Sequence, residues 1–128
     1  MKKEGIASIW IGKGKSRETF NQLLAYRITE DGMGEFEACR FCQALGIDDY
    51  DPDYFGGKFF PKDLTRLDLL FHGEPILSEL KARWPTILPA NCHVGLYNYE
   101  YAGRKKEFTI EGFKFIFLGC FDYLNATS

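Results

Sequence analysis

A chain of 128 residues that is 45% hydrophobic, 16% aromatic and 27% charged fits one compact domain spanning 1–128, and excludes a disordered or collagen-like polymer. At this length a core can form without disulfides or a structural metal. Lys and Arg number 16 against 18 Asp and Glu, a net charge of −2, so the basic excess of a protein that grips nucleic acid through its phosphates is missing. No stretch approaches the roughly 20 apolar residues of a membrane helix, and neither nucleic acid nor membrane is expected as a direct partner.

Gly5–Ile11 opens the chain as a buried strand rich in β-branched residues, with Ile6, Ala7, Ile9, Trp10 and Ile11 in one run. That run is too short for a secretory signal and lacks a small-residue cleavage site. Gly12-Lys13-Gly14-Lys15 breaks it, and Ser16 is a natural N-cap with Glu18 in the first helical turn. The helix carries Phe20, Leu23 and Leu24 at i, i+3, i+4 spacing. A polar stretch, Thr29 to Gly34, leads to a second helical pattern with Phe36, Cys39, Cys42 and Leu45 at three-residue steps and Gly46 as its C-terminal cap.

Asp48–Gly57 reads as an acidic, aromatic loop. Leu64, Leu67 and Phe71 predict a third helix ended by His72-Gly73. Pro75 starts a fourth, with Ile76, Leu77, Leu80 and Trp84 on its face and Pro85 as its stop. From Cys92 the period changes to two: Val94, Leu96 and Asn98 point one way, Tyr97, Tyr99 and Tyr101 the other. Phe113, Phe115, Phe117, Gly119 and Phe121 alternate in a further strand, and Phe108-Thr109-Ile110 forms a short one. The expected architecture is α+β: an N-terminal strand, several helices, and a C-terminal antiparallel β-hairpin or meander in one sheet.

Several motifs invite chemistry. Gly12-Lys13-Gly14-Lys15-Ser16 stands where a phosphate-binding loop belongs, but Ile9 occupies the position of that motif's first glycine. Cys39 and Cys42 form a CxxC that, with Cys92, His93 and Cys120, raises a structural zinc or a Cys/His enzyme as the alternative function. The CxxC falls in mid-helix on this reading, unlike a redox pair at a helix start, and Cys92 and His93 face opposite sides of a strand. Small buried cysteines, reduced in a cytoplasm, account for the pattern, and no cofactor is expected. The Asn125-Ala126-Thr127 sequon, which needs a secretory route, then has no role.

Asp49, Asp51 and Asp53 have the first three spacings of a calcium loop, but Tyr54 replaces its glycine and Phe60 its bidentate glutamate. Carboxylates interleaved with aromatics suit a contact patch for a basic protein partner better. Asp48, Asp49, Asp51 and Asp53 supply steering charge, and Tyr50 and Tyr54 supply amphipathic anchors. A tyrosine face at 97–101 is a second surface on which a subunit could dock.

Four strings carry a resemblance: Ser8-Ile9-Trp10-Ile11-Gly12; Leu45-Gly46-Ile47-Asp48-Asp49-Tyr50-Asp51 with the trailing Asp53; Leu96-Tyr97-Asn98-Tyr99-Glu100-Tyr101; and Phe117-Leu118-Gly119-Cys120-Phe121-Asp122-Tyr123. Together they resemble the immunity protein 22 family of bacterial polymorphic-toxin systems. The resemblance implies a cytoplasmic, non-enzymatic antidote that binds and neutralises a cognate toxin domain. Many such toxins are nucleases, whose basic clefts would suit the 48–54 loop. The choice of loop residues comes from their chemistry and not from the family.

Overall fold

A computed structural model describes residues 1–28 and 36–124. The polar stretch Thr29–Gly34 and the Asn125 sequon lie outside the described residues. Five strands form one antiparallel sheet: β1 (Lys2–Lys13), β4 (Phe55–Leu64), β5 (Ala90–Tyr99), β6 (Glu107–Ile110) and β7 (Phe113–Asp122), in the order β4-β5-β1-β7-β6. A two-residue pair, β2 (Arg27–Ile28) and β3 (Phe36–Glu37), stands apart. The fold is α+β, and β1 occupies the centre of the sheet between β5 and β7. The C-terminal strands are therefore not a simple meander. Only β6 and β7 are hairpin neighbours, through a Glu111-Gly112 turn in which both residues have positive φ, the conformation a two-residue hairpin needs.

Alternation along β1 divides the core into two halves, one on each face of the sheet. Trp10 packs with Phe20 and Leu23 of α1 (Arg17–Leu24), with Phe41 and Cys42 of α2 (Arg40–Ala44), and with Val94, Leu96, Phe113 and Phe115. Ile9 and Ile11 pack on the other side with Leu67 and Leu70 of α3 (Leu67–Leu70), with Leu80 of α4 (Leu77–Arg83), and with Leu118 and Phe121. The Trp10 ring lies 5.2 Å from Phe41, edge-on, and 5.1 Å from Phe117.

Local chemistry explains the helix ends. The Ser16 hydroxyl accepts the Thr19 N–H at 3.1 Å and starts α1. At the end of α2 the Ile47 N–H reaches the Cys42 carbonyl and the Gly46 N–H reaches that of Gln43, the paired bonds of a Schellman cap, with Gly46 at φ 75°. The glycines before α1 serve packing. A Cβ at Gly12 would strike the Phe115 ring and one at Gly14 the Phe113 ring. The buried Asn91 amide clasps Gly14 from both sides, accepting its N–H and donating to its carbonyl.

Four expectations require correction. The second helix does not begin near Phe36: that residue is in β3, and α2 starts only after Cys39, which is its N-cap. Leu64 ends a strand and begins no helix. Phe55–Leu64 is an edge strand carrying Gly56-Gly57, Lys58, Pro61, Lys62 and Asp63, and its exposed side chains give it no alternation to read. The three tyrosines of 97–101 do not share a face. Asn98 at φ 58° shifts the parity of β5, so Tyr97 packs beside the α3–α4 half while Tyr99 and Tyr101, each 6% exposed, enter the Trp10 half. In the same way Leu118 is bulged out between the Ile9–Gly119 and Trp10–Phe117 pairs, and Phe121 joins Leu118 on the face opposite Phe117.

Candidate functional site

The acidic segment runs from the Schellman cap to the start of β4 and is shaped by hydrogen bonds to its own carboxylates. Asp51 accepts the Asp53 N–H at 2.9 Å and caps a 3-10 turn over Pro52–Tyr54. Asp49 accepts the Tyr99 hydroxyl at 3.1 Å, which ties the loop to β5. Burial, with the Asp49 charge beside it, pushes the Tyr99 hydroxyl up to about 12. Asp48, Asp49, Asp51 and Asp53 are all exposed, and Tyr54 is 49% exposed at the loop's edge.

Tyr50 behaves differently from its neighbours. It is 1% exposed, its ring sits 5.3 Å from that of Phe55, and its hydroxyl accepts the Cys39 N–H at 3.0 Å. It anchors the loop to the core from below and offers no surface to a partner in this conformation. The sequence pattern gives no warning of this, because an aromatic between aspartates reads as exposed when burial is unknown.

Cys39 and Cys42 are structural neighbours of that anchor. The Cys39 sulfur accepts the Cys42 N–H at 3.4 Å, and both residues are buried. The Cys42 thiol and this amide pull the Cys39 thiol below its ordinary value, while Cys39 and burial hold Cys42 well above its own. The CxxC therefore sits at a helix start and not in mid-helix, although the α2 helix it caps has only five residues. Cys92 belongs to the same half of the core, and burial raises its thiol to about 12. Cys120 lies elsewhere, 3.4 Å from the Ser8 hydroxyl. Among the described residues, no three His, Cys, Asp or Glu side chains gather into a set that could hold a metal ion.

Beside the acidic loop lies a cleft of about 400 Å³ between the start of β4 and the turn joining α3 to α4. Asp53 and Tyr54 belong to both loop and cleft, and Lys58, Glu74, His93 and Tyr97 complete its polar lining. His93 packs against Phe71 with ring centres 4.3 Å apart and planes tilted by 32°, and it is 5% exposed. Burial, with the Lys58 cation next to it, pushes its imidazole down to about 4, so it is neutral near pH 7. Its Nε2 is buried with no hydrogen-bond partner. Lys58 and Glu74 form a loose pair at 3.6 Å across the opening. Sequence reading missed this constellation because it depends on β4, which brings Lys58 opposite His93 in register.

A family model described as Immunity protein 22 matches residues 7–124, nearly the whole chain. The chain belongs to the immunity protein 22 family. No curated protein and no solved structure matches it. The immunity protein's acidic loop and cleft form one continuous region at the edge of the sheet, reached from β4 and β5. Among the described residues no helix is long and apolar enough to cross a membrane.

Proposed function

We propose that this immunity protein neutralises a cognate bacterial toxin domain in the cytoplasm by binding it, without enzymatic activity of its own, and that the 48–54 loop is its contact surface. The observation that carries the reading is the family match over 7–124. The loop assignment rests on four exposed carboxylates within six positions on a chain whose net charge is only −2. Such a concentration of charge speeds encounter with a basic surface. Tyr54 then supplies desolvated contact area, while Tyr50 holds the loop in place from below. A nuclease, whose cleft is basic because it must hold phosphates, is the toxin class this surface suits best.

The test is protection. Cells expressing the toxin domain encoded beside this chain should grow when the immunity protein is co-expressed, and the two proteins should co-purify. Continued toxicity at equal expression, with no complex formed, would overturn the reading.

A further inference from the structure

We infer that an extended segment of the protein partner joins the sheet as a further strand along the outer edge of β4 at Phe55–Gly57, a docking mode that rests on the neutralising role proposed above. The first argument is the edge itself. β4 is an outermost strand and, among the described residues, pairs only with β5. Its outward backbone N–H and C=O groups are therefore open to a partner strand. The guards against such pairing, Lys58, Pro61, Lys62 and Asp63, all follow Gly57. Phe55-Gly56-Gly57 carries none of them, and both glycines are exposed.

The second argument is a cavity on each face of that edge. Gly56 and Gly57 line both. The cleft described above is walled by Phe71 and Tyr97 of the α3–α4 half of the core. The other, of about 420 Å³, is walled by Phe20 and Leu24 of the Trp10 half. Successive side chains of a strand point to opposite faces, so two neighbouring residues of an added strand reach the two cavities. Their apolar walls select apolar side chains.

Gly56 keeps the cleft open without being required by the fold. A Cβ at Gly57 would strike the His93 carbonyl, so only glycine fits there. At Gly56 φ lies outside the left-handed region, and a Cβ would meet nothing within 4 Å. Gly56 stands opposite Gly95, whose own Cβ would meet the Tyr97 ring at 3.0 Å, so a side chain at this pair would point into the cleft. A glycine weakens a strand and suits a place where another chain approaches closely. Charge then sets the direction. Every pair in this sheet is antiparallel, and an added strand of that sense carries its C-terminal end past Phe55 towards Asp53 and Asp51. The occupant is a toxin segment with two adjacent apolar residues followed by Lys or Arg.

The test uses the full chain and the toxin domain encoded beside it. Amide hydrogen exchange, read by mass spectrometry, compares the free chain with the complex. Exchange over residues 55–58 should slow about tenfold or more in the complex. Gly56→Leu fills the mouth of the cleft; it should keep its urea midpoint and bind the toxin domain about thirtyfold more weakly. Thr109→Leu, exposed on β6 at the opposite margin, should bind as the parent does. A complex with unchanged exchange over 55–58, parental affinity in Gly56→Leu, or equal weakening by Thr109→Leu overturns the docking mode and leaves neutralisation standing. If Gly56→Leu fails to fold, exchange in the parent complex decides alone. Absence of any complex overturns the neutralising role and the docking mode with it.

Discussion

The Tyr50 hydroxyl and the Cys39 amide, eleven positions apart, meet at 3.0 Å inside the core. This one bond joins the acidic loop to the start of α2, so the loop's position depends on a residue buried beneath it. Replacing Tyr50 by Phe keeps the ring against Phe55 but leaves the Cys39 N–H without its acceptor. The expected loss is about 1–3 kcal/mol in urea unfolding. A variant as stable as the parent would show that the bond contributes nothing to the loop's anchorage.

Removing charge from the loop while keeping its hydrogen bonds isolates steering from shape. Asn at 48, 49, 51 and 53 retains the carbonyl acceptors used by Tyr99 and by the 3-10 turn. With the cognate toxin, association should slow about tenfold at low salt and lose most of its salt dependence. Dissociation should change less. Stopped-flow mixing over a salt series measures both, and an unchanged association rate would remove the loop from the interface while leaving neutralisation itself intact.

His93 should make the fold acid-sensitive. Its imidazole titrates near 6.5 in the unfolded chain and near 4 in the folded one. Above pH 6.5 both states are neutral there and the residue adds no pH dependence. As pH falls from 6.5 towards 4 the unfolded chain takes up a proton that the folded chain refuses, and stability drops. Below 4 both states are protonated and the loss levels off. The shift corresponds to about 3 kcal/mol. Denaturation at a series of pH values, with His93→Gln as comparison, reads this as the difference between the two curves. Parallel curves across the window would refute it.

The elements legible in the sequence were those whose own residues impose them. Trp10 and its β-branched neighbours make a strand, Ser16 caps a helix, Gly46 ends one, and Phe113-Lys114-Phe115 alternates cleanly. What escaped reading depends on tertiary context. β4 is an edge strand with Gly56-Gly57 and Pro61 inside it, and it forms because β5 offers a free edge for it to pair with. The parity change at Asn98 turns on one residue in the left-handed region, which Asn tolerates but does not announce. The candidate site divides along the same line. Asp48, Asp49, Asp51, Asp53 and Tyr54 were visible as a charged, aromatic string. Tyr50's burial and the His93 cleft depend on packing partners far along the chain.

The outer strand of the sheet also bears on how much of the protein a cell could hold. Both margins of the sheet discourage edge-to-edge growth from copy to copy. β6 is only four residues long, and β4 carries Lys58, Pro61, Lys62 and Asp63 along its length. Pro61 withholds one ladder donor, and the charges repel or hydrate an approaching copy. A sheet whose rims resist fibre growth lets the chain accumulate to high concentration without joining edge to edge.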